Sequence, residues 1–354
     1  MKIAFIVPSL KYAGPLIVVE NIINRLLEKN EHEITIYYFK EIIELKVNVK
    51  IIKIKLLEYI DFSNYDIVHS HMFRPDLYFY FWSLFGKNKH VKAISTIHQF
   101  ISHDFASQHS FFKAKLASKI WHQALKRYNV LVTLNEEMKS DYQKKYPTKK
   151  VVKIHNGIDI NNTYEMIQND DLKKITKLKT RYKLIGSAAQ ITKNKCFNQV
   201  IDLLTINSNI AFILIGDGPE LNNLKKRAIK NGVSNRVLFL GHRANAKKYF
   251  TLFDIFIMSS EKEGFPISLL EAASLSIPAV CSRNKVFEEL YENSDVSFFE
   301  MNNIVSLNEA VIKILNNTNL YKRNIYLKYK NSYTSSIMTN NYLKLYKQLN
   351  KNEK

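Results

Sequence analysis

The stretch at residues 255–280, IFIMSSEKEGFPISLLEAASLSIPAV, constrains the fold more than any other part of the chain. Its first four residues form an apolar run the length of one buried strand. Gly264 and Pro266 break the chain into a loop. Residues 267–275 have helical character, and Pro278 ends that helix before a second apolar run. Strand, loop, helix and strand in this order predict half of a doubly wound α/β domain. Two carboxylates, Glu263 and Glu271, stand with seven residues between them. The first falls in the loop at the carboxyl end of the strand, where open α/β sheets bind ligands. The second falls in the first turns of the helix, whose outward N–H groups make an anion site. Ser268 and Glu271 also have the spacing of a capping box, which would serve only the helix itself. The spacing alone leaves both readings open.

A chain of 354 residues is long enough for two domains, each with its own core. Its two cysteines, Cys196 and Cys281, lack metal-ligand spacing and point to a reducing compartment rather than a disulfide framework. Residues 1–10 are apolar but broken by Pro8, so they read as a first strand and not as the core of a signal peptide. No run approaches the roughly 18 apolar residues of a spanning helix. A cytoplasmic protein is therefore expected. The net charge of +20 would suit a nucleic-acid partner. The basic residues are instead scattered over both halves, with no arginine-rich arm or nucleic-acid motif, so no such partner is expected. The charge is left to an anionic membrane surface or to an ordinary solvated exterior.

Taken in order, residues 2–7 form a strand, and residues 8–14 a loop that is not G-x-G-x-x-G. Pro15 opens a helix with Val18, Val19, Ile22, Ile23, Leu26 and Leu27 on its buried face. Gly14 fits either a tight turn or a close approach of the backbone to a ligand. Strands follow at 34–39, 49–54 and 65–70, the last running into His69 and His71, which share one face by the period of two. No carboxylate or cysteine accompanies them, so no metal site is expected there. The aromatic run 78–85 reads as a buried helix, and 93–97 as a strand ending at His98. Residues 111–128 are helical and basic: Lys113, Lys115, Lys119, Lys126 and Arg127 stand among Phe112, Leu116, Ile120, Trp121 and Leu125. That pattern suits a helix lying on a membrane surface and equally a half-buried helix with a charged outer face. Strands at 130–134 and 151–154 complete the first half, and the polar residues 161–171 read as a linker. In the second half, strands at 182–189, 211–215 and 237–240 alternate with helices, and residues 337–349 form a last helix.

These phrases together resemble the retaining, nucleotide-sugar-dependent glycosyltransferases of family 4, which have the GT-B fold. Glu263 and Glu271 match the family's E-x7-E signature. The resemblance implies that Glu263 holds donor-sugar hydroxyls and Glu271 the ribose, with the backbone of Gly264, Phe265, Pro266 and Ile267 facing the diphosphate and sugar. His98, in STIHQF, is similar to a family histidine that binds a sugar hydroxyl near the anomeric carbon. Ala13-Gly14-Pro15 stands where the family has its glycine-rich first loop, and residues 156–159, NGID, resemble the phrase at the domain junction. Where the family reads Gly-Arg-Leu, three residues and Lys, this chain has Ala189, Gln190, Ile191 and, after three residues, Lys195. Lys195 would neutralise the donor's phosphates. Gln190 replaces an arginine and removes a positive charge where the leaving diphosphate gains negative charge, with Lys193 the nearest substitute. Residues 216–221, GDGPEL, read as a structural turn, and Arg243 falls in a loop that in the family lies against the nucleotide base.

The implied architecture is α/β: two Rossmann-like doubly wound domains facing an interdomain cleft. Residues 1–165 would bind the acceptor, residues 166–335 the nucleotide sugar, and the tail 336–354 would pack back on the first domain. The implied reaction moves a hexosyl or N-acetylhexosaminyl group, with retention, from a nucleoside-diphosphate sugar to a growing surface glycan or lipid-linked acceptor. The expected donor is a UDP-sugar, and no metal cofactor is expected. Glu263, His98 and Lys195 would be the catalytic residues. The product would belong to capsule, O-antigen or lipooligosaccharide, made at the inner face of the cytoplasmic membrane. Gln190 keeps open a non-catalytic, glycosyltransferase-like partner subunit, and a GT-B sugar-nucleotide epimerase is a third alternative.

Overall fold

The computed structural model describes residues 1–29, 31–101, 111–159 and 166–351, with the side chains of residues 111–114 excepted. The chain divides into two compact units, Met1–Ile158 with Tyr333–Lys354, and Asp159–Ser332.

The first unit is built on a seven-stranded sheet of parallel strands. In chain order these are β1 (Lys2–Val7), β2 (Glu33–Tyr38), β3 (Lys50–Lys53), β4 (Ile67–His71), β5 (Ala93–Thr96), β6 (Val130–Thr133) and β7 (Lys150–Lys153). Their spatial order is β3-β2-β1-β4-β5-β6-β7, so the winding reverses between β1 and β4. The central strands are buried on both faces, as a parallel sheet covered by helices requires. Helix α1 (Gly14–Leu27) buries Leu16, Ile17, Val18, Val19, Ile22, Ile23 and Leu26, a broader face than a helix packed on one side only. The reason is that the C-terminal helix, Ser335–Lys351, also packs against it, with Arg25 Nε donating to Ser335 Oγ at 2.8 Å.

Two devices fix that return. The backbone of Ile158 and Ser335 pairs with Tyr333 and Ile158 at 3.1 Å each, and a Cβ on Gly157 would stand 2.2 Å from the Thr334 carbonyl oxygen. Gly157 is therefore a close-approach glycine. Inside the unit, Asp76 in the first turn of α2 (Phe73–Leu84) accepts from Ser70 of β4, from Ser95 of β5 at 3.0 Å and from Trp121 of α3 (Phe111–Leu125) at 2.7 Å. Burial raises its carboxyl to about 6 although all these donors pull the other way. One buried group thus ties two strands to two helices.

The aromatic run at 78–85 is buried only in part: Tyr78 and Phe79 are sealed, whereas Leu84 and Phe85 are exposed. In α3 the buried face is Trp121, Ala124 and Leu125, while Leu116 and Ile120 are 62% and 43% exposed. The side chains of Phe112 and Lys113 lie outside the described residues, as do residues 160–165 at the expected linker.

The second unit has a six-stranded parallel sheet: β8 (Lys183–Ala188), β9 (Ile210–Ile215), β10 (Val237–Gly241), β11 (Ile255–Met258), β12 (Ala279–Ser282) and β13 (Ser297–Phe299). The order is β10-β9-β8-β11-β12-β13, reversing between β8 and β11. Strand β9, IAFILI, is buried at every position. Between β10 and β11, where the alternation of strands and helices calls for a helix, the chain forms a 3-10 helix, Ala246–Leu252. A helix at Thr318–Ser332 has no counterpart in the sequence reading, because its buried stripe is only Tyr321, Ile325 and Tyr329 among lysines and asparagines.

Candidate active site

In open α/β sheets ligands sit beyond the carboxyl ends of the strands at the point where the winding reverses. In the second unit that point lies between β8 and β11, which pair directly in parallel. Two loops meet there, 189–196 after β8 and 259–266 after β11. Asn194 staples them: its Nδ2 donates to the Lys262 carbonyl at 2.7 Å, its Oδ1 accepts from Lys262 N at 3.2 Å, and its own carbonyl accepts from Glu261 N at 2.9 Å. Ser259 Oγ adds a bond to the Lys195 carbonyl at 2.7 Å. The staple brings Lys195 Nζ to 2.5 Å from Glu263 Oε1, with the two side chains only 19% and 11% exposed. Cys196, at φ 49°, ψ 35°, makes the left-handed turn that takes the chain from this loop into α6 (Phe197–Ile206).

The loop is braced from below by the 216–221 phrase. Ile191 N donates to Asp217 O at 2.8 Å. Gly216 sits at φ +137°, and a Cβ there would lie 1.9 Å from the Ala189 carbonyl oxygen. This turn therefore holds the lysine loop in place and needs glycine to do so.

Helix α8 (Ile267–Ser274) begins directly behind the Glu263 loop, with Pro266 at its N-cap. The capping box does not form: Ser268 Oγ points to Met258 Sδ at 3.7 Å, and no side chain caps the helix. The expectation for the 264–267 backbone is narrowed, since Pro266 has no N–H and Ile267 N donates to Phe265 O at 3.1 Å. The carboxylate of Glu271, in the middle of α8, has no hydrogen bond among the described residues, while its backbone carbonyl accepts from Ser274 Oγ at 2.7 Å. Burial pushes its carboxyl up to about 7, with Lys247 pulling weakly the other way. Gln190 and Lys193 are exposed on the lysine loop. Arg243 is committed elsewhere: its fork holds Asp171 at 2.7 and 3.0 Å, and Tyr249 OH is a third donor at 2.7 Å. Together these hold the Asp171 carboxyl below its ordinary value.

In the first unit the winding reverses between β1 and β4. Gly14 follows β1 and opens α1 behind Ala13, an extended N-cap at φ −147°, ψ 149°. His98 follows β5, and its Nε2 lies 3.0 Å from Nδ1 of His71 at the end of β4. The period of two puts His71 on one face with His69 and leaves its contact with His98 unread. The signal was available: β4 and β5 pair with His71 opposite Thr96, which puts His98 two residues beyond. Among the described residues no group of three or more His, Cys, Asp or Glu side chains is arranged to hold a metal ion.

Residues 168–331 match the family described as "Glycosyl transferases group 1", and residues 28–162 match "Glycosyltransferase Family 4". The chain is 30% identical over 359 residues to an O-antigen biosynthesis glycosyltransferase, WclY, of Escherichia coli, covering 99% of each. The chain belongs to glycosyltransferase family 4. It is therefore a glycosyltransferase, and the Lys195–Glu263–Glu271 arrangement is that enzyme's candidate active site. A partial likeness, 28% identity over 174 residues, links it to an E. coli UDP-Gal:alpha-D-GlcNAc-diphosphoundecaprenol alpha-1,3-galactosyltransferase. Among solved structures, Anabaena HepE in complex with UDP and glucose superposes with a TM-score of 0.78 at 16% identity, covering 98% of this chain and 100% of that one. WaaG, a glycosyltransferase involved in lipopolysaccharide biosynthesis, gives 0.69 at 16% identity, covering 97% and 99%. At these identities the likeness is one of fold, the two-unit GT-B architecture.

The buried carboxyl of Glu271 gives the apo glycosyltransferase a pH signature. Its folded value of about 7 lies above the ordinary 4.5, so between those pH values the folded chain binds more protons than the unfolded one. Stability then falls as pH rises through this window. Glu271→Gln removes the titration, so in thermal melts its Tm should gain on the wild type from pH 4.5 to pH 8. A Tm difference that stays constant across that range would contradict the assignment.

Proposed function

We propose that this glycosyltransferase transfers a sugar from a UDP-sugar, with retention of anomeric configuration, to a lipid-linked or growing glycan acceptor in O-antigen or related lipopolysaccharide assembly. The observation that carries the reading is the Lys195–Glu263 pair, stapled at the switch point of the second sheet in front of α8. Lys195 Nζ has three N–H groups and spends one on Glu263, leaving two for phosphate oxygens. Glu263 Oε2 is left for sugar hydroxyls, and Glu271, whose carboxylate has no hydrogen bond among the described residues, suits a ribose diol. UDP as the nucleotide is supported by the HepE complex with UDP and by the galactosyltransferase relative whose name includes UDP-Gal.

In this reading the acceptor oxygen attacks the anomeric carbon on the face the diphosphate leaves. The departing phosphate oxygen takes the acceptor proton, and no side chain is required as a strong base. Lys195 and the amino end of α8 meet the charge that builds on the diphosphate, a role that divalent cations fill in other enzymes. Lys193 is the cation nearest in sequence to offset the missing arginine at Gln190. His98 is assigned to a hydroxyl of the same sugar, so that it and Glu263 act by orientation. Glu263→Ala should lower turnover by more than about tenfold, the scale of a lost positioning contact. The assay is UDP release with and without acceptor. Release that depends on acceptor supports transfer. A wild-type rate for Glu263→Ala would contradict the role given to Glu263; no UDP release under any donor and acceptor would favour the non-catalytic subunit, and sugar interconversion without acceptor the epimerase.

The acceptor class gains support from the surface of the first unit. Leu116 and Ile120 stand exposed on α3 beside exposed Lys115 and Lys119, and Leu84 and Phe85 are exposed at the end of α2. Between these two helices lies a cavity of about 490 Å³ lined by Tyr80, Leu84, Lys89, Lys126 and Arg127 among others. Apolar side chains interleaved with lysines suit insertion at an anionic lipid surface. Wild-type protein should float with vesicles containing phosphatidylglycerol, and the combined Lys115→Glu, Lys119→Glu, Lys126→Glu variant should stay behind. Equal flotation of the two would remove the proposal.

A further inference from the structure

The first unit holds three imidazoles in contact. The rings of His69 and His71 have centroids 4.2 Å apart, and those of His71 and His98 are 5.3 Å apart. Two of the three are fully accounted for or face outward. His69 uses both ring nitrogens, Nδ1 with Tyr346 OH at 2.7 Å and Nε2 with Thr96 Oγ1 at 2.8 Å. His98 is half-buried, with Nε2 on His71 and no hydrogen bond at Nδ1 among the described residues. His71 is different. It is completely buried, its Nδ1 meets His98, and its Nε2 has no hydrogen-bond partner among the described residues.

We infer that His71 is a positioning residue for His98: its Nδ1–H donates to His98 Nε2 and locks His98 as the Nδ1–H tautomer, which meets its ligand as a hydrogen-bond donor. The number of protons on the three rings sets the direction of this bond. Burial holds His69 and His98 down to about 3 and His71 well below its ordinary value, so each ring carries a single proton at neutral pH. A neutral imidazole has one donor and one acceptor nitrogen. If His98 Nε2 were the donor, His71 would carry its proton on Nε2, and a buried N–H would be left with no acceptor. Buried orphan N–H groups are rare, whereas an unpaired acceptor is better tolerated. The arrangement with the proton on His71 Nδ1 leaves only a lone pair unpaired. It follows that Nε2 of His98 is the acceptor and Nδ1 carries the outward proton.

The consequence deepens the transferase reading, on whose assignment of His98 to the donor sugar it rests. His98 presents an N–H to a sugar oxygen and has no lone pair at Nδ1 to take a proton. It orients the donor, and the acceptor proton must go elsewhere, in keeping with removal by the departing phosphate. Its orientation is in turn anchored through β4, where the His71 ring packs against both His69 and Phe5, at centroid distances of 4.2 and 6.1 Å.

The test is the nitrogen chemical shifts of histidine in ¹⁵N-labelled full-length protein without substrate, with kcat/KM measured on the same variants. In the wild type His98 should show Nδ1 protonated and Nε2 unprotonated. His71→Phe should return His98 to the Nε2–H form that free imidazole favours and lower kcat/KM for the nucleotide sugar by about tenfold, the scale of a lost positioning contact. His71→Asn, whose amide can donate from near the Nδ1 position, should keep the Nδ1–H form of His98 and recover activity to within about threefold. An Nε2–H form of His98 in the wild type, an unchanged tautomer in His71→Phe, or full activity in His71→Phe would each overturn the inference. His98→Ala serves as the separate control: full activity there removes the assignment of His98 to the sugar, while the nitrogen shifts still decide the tautomer.

Discussion

The second unit depends on keeping a lysine and a glutamate together in a place that is mostly dry. Withdrawing two charges from water is costly, and their attraction offsets this only if geometry is held by further bonds. Here the geometry comes from the backbone. Asn194 ties the two loops at three points, the Gly216 turn supports the lysine loop from below, and the parallel pairing of β8 with β11 sets the distance between the loops. Such a pair contributes little to stability for its arrangement. Its value is that a cation and a carboxylate are already oriented at the end of the sheet, which is the condition for electrostatic preorganisation.

The same logic recurs in the first unit with neutral groups. Histidines at the ends of β4 and β5 are sealed against charging and joined by hydrogen bonds, with Tyr342 and Tyr346 of the C-terminal helix bonded into the cluster through Thr96 and His69. The returning helix is thus more than a strap, since it completes the polar satisfaction of a buried imidazole. The second unit places its ion pair where the winding reverses, β8 to β11, whereas the first unit's imidazoles stand on β4 and after β5, beside the reversal from β1 to β4.

Much of this was legible in the sequence because parallel strands buried on both faces write themselves as apolar runs, and β9 and β11 are such runs. The Glu263 to Glu271 spacing and Lys195 were legible as phrases, and the structure brings Lys195 and Glu263 into contact. What escaped was set by tertiary contact. The helix at Thr318–Ser332 hides a one-residue-wide apolar stripe, and Asn194 acts through bonds to a loop 68 residues away. Arg243 reads as part of a loop against the nucleotide base, and its side chain is held by Asp171, which lies 72 residues earlier. His71 read as the neighbour of His69 because period two reports a face of one strand and not the strand beside it. The 78–85 run reads as buried throughout because aromatic composition does not distinguish a core from an exposed end, and Phe85 is outside.

The central claim is that Lys195 and its loop hold a nucleoside diphosphate. The most direct measurement is calorimetric titration of UDP into the wild type and into Lys195→Met. Loss of a charge-assisted contact is worth roughly 1.5–3 kcal/mol, so the variant should bind UDP at least about tenfold more weakly. Equal affinity for UDP in the two proteins would contradict the account.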